Sequence, residues 1–204
     1  MRGLLLKDWL VVIKQTKVYF VLMFVFALIP GMGVYSIFFG ALLPMTAFAY
    51  DERSRWGQMA EMMPYSPRKV VEEKYMFGYL MAGGISVLEA VIQILYYLAG
   101  AGQGGLAENM AVILVSVMMA LNVMALQMPV IFRIGVEKSR IFLMFVTISV
   151  MMALQSFFSR SVFETTVVLP EWSSFMLPGI LVVTLVIQLL SRMLSVKFCT
   201  DKKK

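Results

Sequence analysis

The chain has 204 residues, of which 60% are hydrophobic and only 15% are charged. A soluble domain usually carries about 25% charged residues and lacks long uninterrupted apolar blocks. Apolar blocks of about 18 residues or more, as found here, indicate membrane-spanning helices. This pattern excludes a soluble enzyme and a disordered chain. The single cysteine, Cys199, cannot form a disulfide within the chain, and the absence of histidine removes most metal sites and histidine-based catalysis.

The first 16 residues are predicted to form an amphipathic helix in the membrane interface. At about 100° per residue, most aliphatic side chains of residues 4–16 share one face with Trp9. The polar and charged side chains share the other face: Lys7, Asp8, Lys14 and Gln15. Such a helix turns its lysines toward anionic lipid headgroups. It is either a simple anchor or a helix that also contacts a partner protein.

Five charge-poor blocks follow, at 18–50, 75–99, 109–132, 141–159 and 175–191. The first would be about 50 Å long as a single helix, against a hydrocarbon core of about 30 Å. The sequence Pro30-Gly31-Met32-Gly33 breaks it, so we expect one span near 16–29 and a second near 32–49. The short first span either crosses fully or forms half of a re-entrant hairpin. The chain is thus predicted to be an all-α membrane protein with six transmembrane helices, in which 16–50 holds spans 1 and 2, 75–132 spans 3 and 4, and 141–191 spans 5 and 6.

Lysine and arginine predict the orientation of these spans. Of the 18 basic residues, all but Arg160 lie in four segments: the N-terminal segment, 51–74, 133–140 and the tail 192–204. The positive-inside rule puts these segments in the cytoplasm. We therefore expect both termini in the cytoplasm and 160–174 as an external lid. A signal peptide is the alternative for the start, but the apolar stretch exceeds the usual h-region of about 7–15 residues.

Segment 51–74 is the longest polar stretch and is predicted to contain a short amphipathic helix. Asp51 and Glu52 open it, and acids suit a helix N-terminus. Its apolar stripe recurs at i, i+3, i+4 and i+7 and consists of Trp56, Met59, Ala60 and Met63. Ser66 is predicted to cap the next helix, with Pro67 at the first helical position. The short helix either docks into a groove of a soluble protein or lies on the headgroups.

The predicted third span contains an acid, Glu89, inside its apolar block. Ionisable groups within a membrane are costly and normally face protein or water. Helical geometry puts Glu89 and Gln93 on the same face as a ladder of small residues, which permits close helix packing. The ladder consists of Gly78, Ala82, Ser86 and Ala90. Glu89 therefore either lines a substrate pathway or packs against another helix, and Asn122 in the fourth span is a weaker candidate of the same kind.

Nucleotide-binding motifs are not expected in this chain. The glycine-rich stretch 100–105 formally matches G-x-G-x-x-G but lies between two spans with no strand before it. No G-x-x-x-x-G-K-[ST] sequence occurs. The net charge of +6 lies at the span ends, which indicates a membrane surface as the partner of the basic residues and not nucleic acid.

Two stretches resemble the short ABC-2-type transporter permeases. These are the opening Met1-Arg2-Gly3-Leu4-Leu5-Leu6-Lys7-Asp8 and the run Tyr50-Asp51-Glu52-Arg53-Ser54-Arg55-Trp56. The resemblance continues through Met63-Pro64-Tyr65-Ser66-Pro67-Arg68-Lys69-Val70-Val71 and Lys74-Tyr75, and it extends to the six-span layout, although the family usually has another residue in place of Pro67. The chain is most similar to the subgroup found beside bacterial peptide exporters and bacteriocin-immunity transporters, which includes permeases for phenol-soluble modulins.

The resemblance implies an ATP-driven exporter of an amphipathic peptide in a bacterial cell membrane. This chain would form the pathway without being an enzyme and without binding a cofactor, while a separately encoded ATPase would bind ATP and magnesium. Two permeases, identical or paralogous, would work with two ATPases. The segment 51–63 would seat in the ATPase groove through Asp51, Glu52, Arg53, Ser54, Trp56, Met59, Ala60 and Met63. The alternative is a scaffold or immunity protein that binds partners without transport.

Overall fold

The computed structural model describes residues 2–29, 31–56, 66–100, 105–139 and 173–201, with isolated positions at 59, 62, 141, 144–146, 148–149 and 152. Within these residues the regular structure is helical and contains no strand, which confirms the predicted all-α class. The helices with continuous bounds are α1 (Arg2–Gln15), α2 (Lys17–Leu28), α3 (Gly33–Arg53), α4 (Pro67–Leu98), α5 (Leu106–Ile134) and α6 (Ser173–Asp201).

Four helices in the described part are long and apolar enough to cross a membrane. They are Gly33–Arg53, Pro67–Leu98, Asn109–Ile134 and Pro178–Thr200. Together α1 and α2 would give a fifth, bent by 79° at their junction. The structure therefore supports four or five spans where the sequence predicts six. The predicted span at 141–159 falls mostly, and the predicted lid at 160–174 almost entirely, outside the described residues.

The first apolar block folds back on itself, as the break at Pro30–Gly33 predicts. Leu28, at the end of α2, accepts a hydrogen bond of 2.6 Å from the Tyr96 hydroxyl of α4. Phe26 stacks on Phe39 of α3 with ring centroids 5.6 Å apart. Helix α2 thus lies antiparallel beside α3. Its 12 residues span only about 18 Å, which is less than the hydrocarbon core of about 30 Å.

The start of α4 agrees with the sequence prediction. Ser66 is the N-cap, its hydroxyl oxygen accepts a hydrogen bond from the backbone N–H of Lys69, and Pro67 takes the first helical position. The proline suits this position because the N–H that it lacks would have no partner inside the helix. The register of the following helix is therefore set locally.

The predicted helix start at Asp51 and Glu52 is wrong. Both acids lie in the last turn of α3, which runs without interruption from the membrane block to Arg53. The helix ends at Ser54, and Arg55 takes a left-handed conformation with φ of 53°, which is typical of the residue that follows a helix C-cap. At the other end of the chain α6 continues to Asp201, so most of the predicted tail 192–204 is helical.

Among the described residues four apolar clusters join the helices, and the smallest packs Ile131 and Val136 against the end of α3. One contains Met23, Leu43 and Phe77 and joins α2, α3 and α4. A second joins α3 and α5 through Phe38 and Val123. A third consists of buried residues of α4 and α5 with partly buried residues of α6 packed against it: Val71, Tyr75, Met124, Met128, Phe132, Val196 and Phe198. The bundle core is thus continuous from α2 to α6.

A polar seam along α6 complements these clusters. Its members recur at i, i+4, i+7 and i+11, and all are buried: Thr184, Gln188, Ser191 and Ser195. The Gln188 amide donates a hydrogen bond of 2.7 Å to the carbonyl of Leu121, and the Thr184 hydroxyl accepts one of 3.1 Å from the Asn122 amide. Polar groups buried between helices of a membrane protein are stabilised when they bond across the helix contact. The seam therefore fixes the register of α5 against α6.

Helices α3, α5 and α6 end, and α4 begins, at the same end of the bundle. We call this end of the bundle the basic end. Contacts along the helices define this arrangement. Asp51 meets Lys74 at the basic end, whereas Gly33 meets Glu89 near the other. Tyr75 meets Ser195, and Phe132 packs with Phe198 in the third apolar cluster. Helices α3, α5 and α6 thus run in one direction and α4 runs in the opposite direction.

Candidate functional site

Four charged side chains from three helices meet at the basic end. We call Lys7, Asp8, Asp51 and Lys74 the charged cluster. Lys74 Nζ lies 2.6 Å from Asp51 Oδ2 and also binds Asp8. Lys7 Nζ lies 2.6 Å from Asp51 Oδ1 and 2.8 Å from Asp8 Oδ1. Two ammonium groups and two carboxylates thus alternate, so the cluster as a whole is neutral.

Each of the three helices contributes its members of the cluster from the side that faces the other helices. In α1 the buried side chains recur every four residues as Leu4, Asp8 and Val12. This face packs on the bundle, so Asp8 points into protein and not toward the headgroups, which corrects the predicted polar face of α1. Lys74 comes from the second turn of α4 and Asp51 from the last turn of α3. The ends of three helices are thereby held together.

The fold requires the ion pairs of this cluster because its buried charges need partners of opposite sign. Lys74 is only 2% exposed and Asp8 is completely buried, and a buried charge without a partner is strongly destabilising. Burial would raise the pKa of Asp8, but the ammonium groups of Lys74 and Lys7 outweigh it and hold that pKa below its ordinary value. Asp51 sits at the negative end of the α3 dipole, which is unfavourable for an acid unless cations lie beside it.

A further acid belongs to the same region. Glu73 is 2% exposed, directly precedes Lys74 in α4 and interacts electrostatically with Asp8. A buried carboxyl group thus lies beside the charged cluster in addition to its four members.

Glu52 connects α3 to the loop at 133–140. Its Oε2 accepts a hydrogen bond of 2.8 Å from the backbone N–H of Val136, where helical residues begin again. Gly135 has a φ of 87°, and a Cβ there would lie 2.6 Å from Glu52 Oε1. A side chain at 135 would therefore be strained and would press on the carboxylate. Glu52 thus caps the segment that follows α5.

The remaining residues of the predicted coupling segment are only partly described. Arg53 is in the last turn of α3, and the hydroxyl of Ser54 donates to the Asp51 carbonyl over 3.3 Å. Trp56 is half-buried, with Lys7 Nζ 4.5 Å from its ring centroid. Met59 is 56% exposed. Ala60 and Met63 lie outside the described residues.

Glu89 is buried near the opposite end of the bundle. Its Oε1 accepts a hydrogen bond of 3.1 Å from Gln93, and its Oε2 has no partner. The carboxyl group lies against Gly33, at the N-terminus of α3, so closely that a Cβ at residue 33 would overlap it. Helix N-termini attract carboxyl groups. These contacts favour the packing interpretation of Glu89 over the pathway interpretation.

The small-residue ladder also faces protein over much of its length. Gly78 and Ala82 are buried, and Gly78 is in contact with Met124 of α5 and Pro44 of α3. Ser86 and Ala90 are half-buried, and the Ser86 hydroxyl donates to the carbonyl of Gly83 within its own helix. The other members of the predicted set are Gln93, half-buried beside Glu89, and Asn122, bonded to Thr184.

The roles of Lys74 and of the polar seam of α6 were not predicted from the sequence. The sequence places Lys74 among the basic residues of segment 51–74 and in the family resemblance, and neither pattern predicts its buried partners, although a lysine directly before an apolar block needs them. The seam had a visible signal, since Thr184, Gln188 and Ser191 recur at helical spacing within an otherwise apolar helix. Asp8 has the same signal, at the spacing of Leu4 and Val12.

The fold and site together define a helical membrane protein whose helix ends are tied by a buried charged cluster beside an exposed polar segment. The chain belongs to the ABC-2 family of transporters: the model for "ABC-2 family transporter protein" matches residues 3–199. Neither the curated proteins nor the solved structures contain a match to the chain. The ABC-2 family provides the membrane permease of ABC transporters, a transport subunit that generally works with an ATPase subunit.

Removing the ammonium group of Lys74 should destabilise the protein strongly. Lys74→Met leaves Asp8 and Asp51 buried beside a single cation, and breaking a buried ion pair in this way costs about 3–5 kcal/mol. Arg68→Met is the matched control, because Arg68 pairs with Glu72 on an exposed surface where a pair is worth about 0–1 kcal/mol. Thermal unfolding of the purified proteins in detergent measures both. Equal midpoints for the two variants would contradict the structural role of the charged cluster.

The contact between Gly33 and Glu89 predicts a compensating pair. Gly33→Ala should lower the unfolding midpoint, because the added methyl overlaps the carboxyl group and overpacking costs about 1–3 kcal/mol. Glu89→Ala in the same chain removes the obstructing carboxyl group and should restore much of the loss. Gly83→Ala, on α4 with open space around its Cβ, is the control. A double variant that is no more stable than additive single effects would exclude direct contact.

Proposed function

We propose that this chain is the permease subunit of an ABC exporter that moves an amphipathic peptide across a bacterial cell membrane. A separately encoded ATPase would bind ATP and magnesium and drive transport. The observation that carries this proposal is the family match over residues 3–199, together with exposed methionines on segment 51–63, whose Asp51 belongs to the charged cluster. The peptide cargo and the bacterial membrane rest on the subgroup resemblance of the sequence.

The segment 51–63 is the proposed contact with the ATPase. Its first two acids are bonded within the permease, Asp51 to lysines and Glu52 to Val136. The described methionines beyond them, Met59 and Met62, are 56% and 88% exposed. Exposed apolar side chains on a segment held at its base are suited to insertion into a groove of a partner. Trp56 would anchor the contact because it connects the segment to Lys7.

Orientation and assembly complete the proposal. The basic end carries most of the lysine and arginine of the described helices, so the positive-inside rule favours the cytoplasm for it and for both termini. The ATPase would then meet the segment 51–63 on the cytoplasmic side. Two permeases, as a homodimer or with a paralogous chain, would form the complete pathway with two ATPases.

Substitutions in segment 51–63 should weaken ATPase binding. Aromatic anchors of an interface are worth about 2 kcal/mol or more, so Trp56→Ala should reduce ATPase affinity about 30-fold. Met59→Asp should also lower the affinity for the ATPase, and it leaves the contact between Trp56 and Lys7 in place. Arg68→Gln, exposed on the first turn of α4, is the control. The measurement is co-purification of the ATPase with the tagged permease, followed by ATP-dependent peptide uptake into inverted vesicles.

Two outcomes oppose parts of this proposal. ATPase co-purification at the wild-type level in both Trp56→Ala and Met59→Asp would exclude the segment as the coupling contact. ATPase binding without ATP-dependent uptake of amphipathic peptides would favour the scaffold alternative over a peptide exporter. Unfolding midpoints of the variants show whether a loss of binding follows from loss of structure.

Cysteine labelling in intact cells tests the orientation. In a Cys199→Ala background, Ala107→Cys should react with an impermeant maleimide because Ala107 is exposed at the start of α5, at the end opposite the basic end. Arg68→Cys, at the basic end, should react only after the cells are opened. Labelling of Arg68→Cys in intact cells would contradict the proposed orientation and place the basic end outside the cell.

A further inference from the structure

Arg192 occupies the groove between α4 and α6 close to the basic end. The central carbon of its guanidinium lies 5.8 Å from the ring centroid of Tyr75 and 5.6 Å from that of Tyr79. Cations are attracted to the faces of aromatic rings at this distance. The two tyrosines therefore hold the arginine at a defined position in the groove.

The tyrosines themselves are fixed by the polar seam of α6. The Tyr75 hydroxyl lies 3.0 Å from the Ser195 hydroxyl and also bonds Ser191. The Tyr79 hydroxyl donates to Gln188 Oε1 over 2.7 Å. Because both rings are held by these hydrogen bonds, the aromatic surface that contacts the guanidinium is formed without any ligand.

The charge of Arg192 is not balanced by the described protein. None of the acids whose side chains the structure describes lies within ion-pair distance of it, and its Nε is buried without a hydrogen-bond partner. Lys74, adjacent to Tyr75 in the sequence, is in contrast matched by Asp8 and Asp51. Arginine stays protonated in proteins, so its charge must be met by an anion or by water.

Exposed apolar side chains flank Tyr75, Tyr79 and Arg192 in the sequence. On α4, Met76 and Leu80 are 46% and 56% exposed, and on α6, Leu189 and Met193 are 60% and 71% exposed. A single cation between exposed apolar side chains fits a ligand that has an anionic head and hydrocarbon chains. At the end of a membrane-spanning helix the abundant ligand of this chemistry is an anionic phospholipid.

We propose that Arg192, set on Tyr75 and Tyr79, binds the phosphate of an anionic phospholipid in the leaflet at the basic end. The guanidinium donates hydrogen bonds to the phosphate oxygens, for which its planar fork is well suited. The acyl chains lie along the exposed methionine and leucine side chains of α4 and α6. The site is separate from segment 51–63 and does not depend on an ATPase.

Lipid binding by the purified protein tests this site. We expect delipidated wild type in detergent to bind phosphatidylglycerol more tightly than phosphatidylcholine, measured by native mass spectrometry and by the shift in unfolding midpoint. Hydrogen bonds to charged groups contribute about 1.5–3 kcal/mol, so Arg192→Gln should weaken phosphatidylglycerol binding about tenfold or more. Lys197→Gln is the matched control, since Lys197 is exposed on the same helix, and it should bind like wild type.

Several outcomes would overturn the proposal. Equal phosphatidylglycerol binding by wild type and Arg192→Gln excludes the arginine as the ligand. Equal binding of phosphatidylcholine excludes selection for an anionic headgroup. Full competition by water-soluble glycerol phosphate shows a site for a free oxyanion and not for a lipid. If Arg192→Gln does not fold, a photoactivatable phosphatidylglycerol is used on wild type, and crosslinks away from residues 75–80 and 189–193 contradict the site.

Discussion

The structure depends on the need to neutralise one buried lysine. Lys74 has an apolar bundle on one side and no access to water, so it is stable only with carboxylates beside it. The two that it binds come from separate helices, Asp8 from α1 and Asp51 from α3. The position of the α4 ammonium group therefore fixes where α1 lies and where α3 ends. Lys7 completes the charge balance and extends it to Trp56.

Away from the charged cluster the bundle is held by a different kind of contact. Helices α5 and α6 share hydrogen bonds at helical spacing, and α4 joins them through Tyr75 and Tyr79. These bonds pair polar groups that lipid cannot satisfy. The α4–α5–α6 part is therefore set in register independently of α1. On the proposed function, a displacement of segment 51–63 reaches this part through the ion pair of Asp51 with Lys74 and through the apolar contacts of Leu43 with Phe77.

Local features of this chain were predictable from the sequence, and distant pairings were not. The break at Pro30–Gly33 and the Ser66 cap depend on a few consecutive residues, and both occur as expected. The pairing of Lys74 with Asp8 joins residues 66 positions apart, and no periodicity in either helix indicates the other. Asp8 was assigned to a polar face because a helical wheel separates polar from apolar side chains and cannot show a charged partner in the bundle.

The first two acids of segment 51–63 are bonded within the permease. Resemblance placed Asp51 and Glu52 among the residues that contact the ATPase, yet both carboxylates are already bonded inside the permease. If the Asp51 carboxylate left its partners, Lys74 would lose one of its two counter-charges. If the Glu52 carboxylate left, the backbone N–H of Val136 would lose its hydrogen-bond acceptor. We therefore assign the acids to holding the base of the segment, on the proposed function. On the proposed function, the side chains left to contact the ATPase are Trp56, Met59 and Met62, and Trp56 also connects that contact to Lys7.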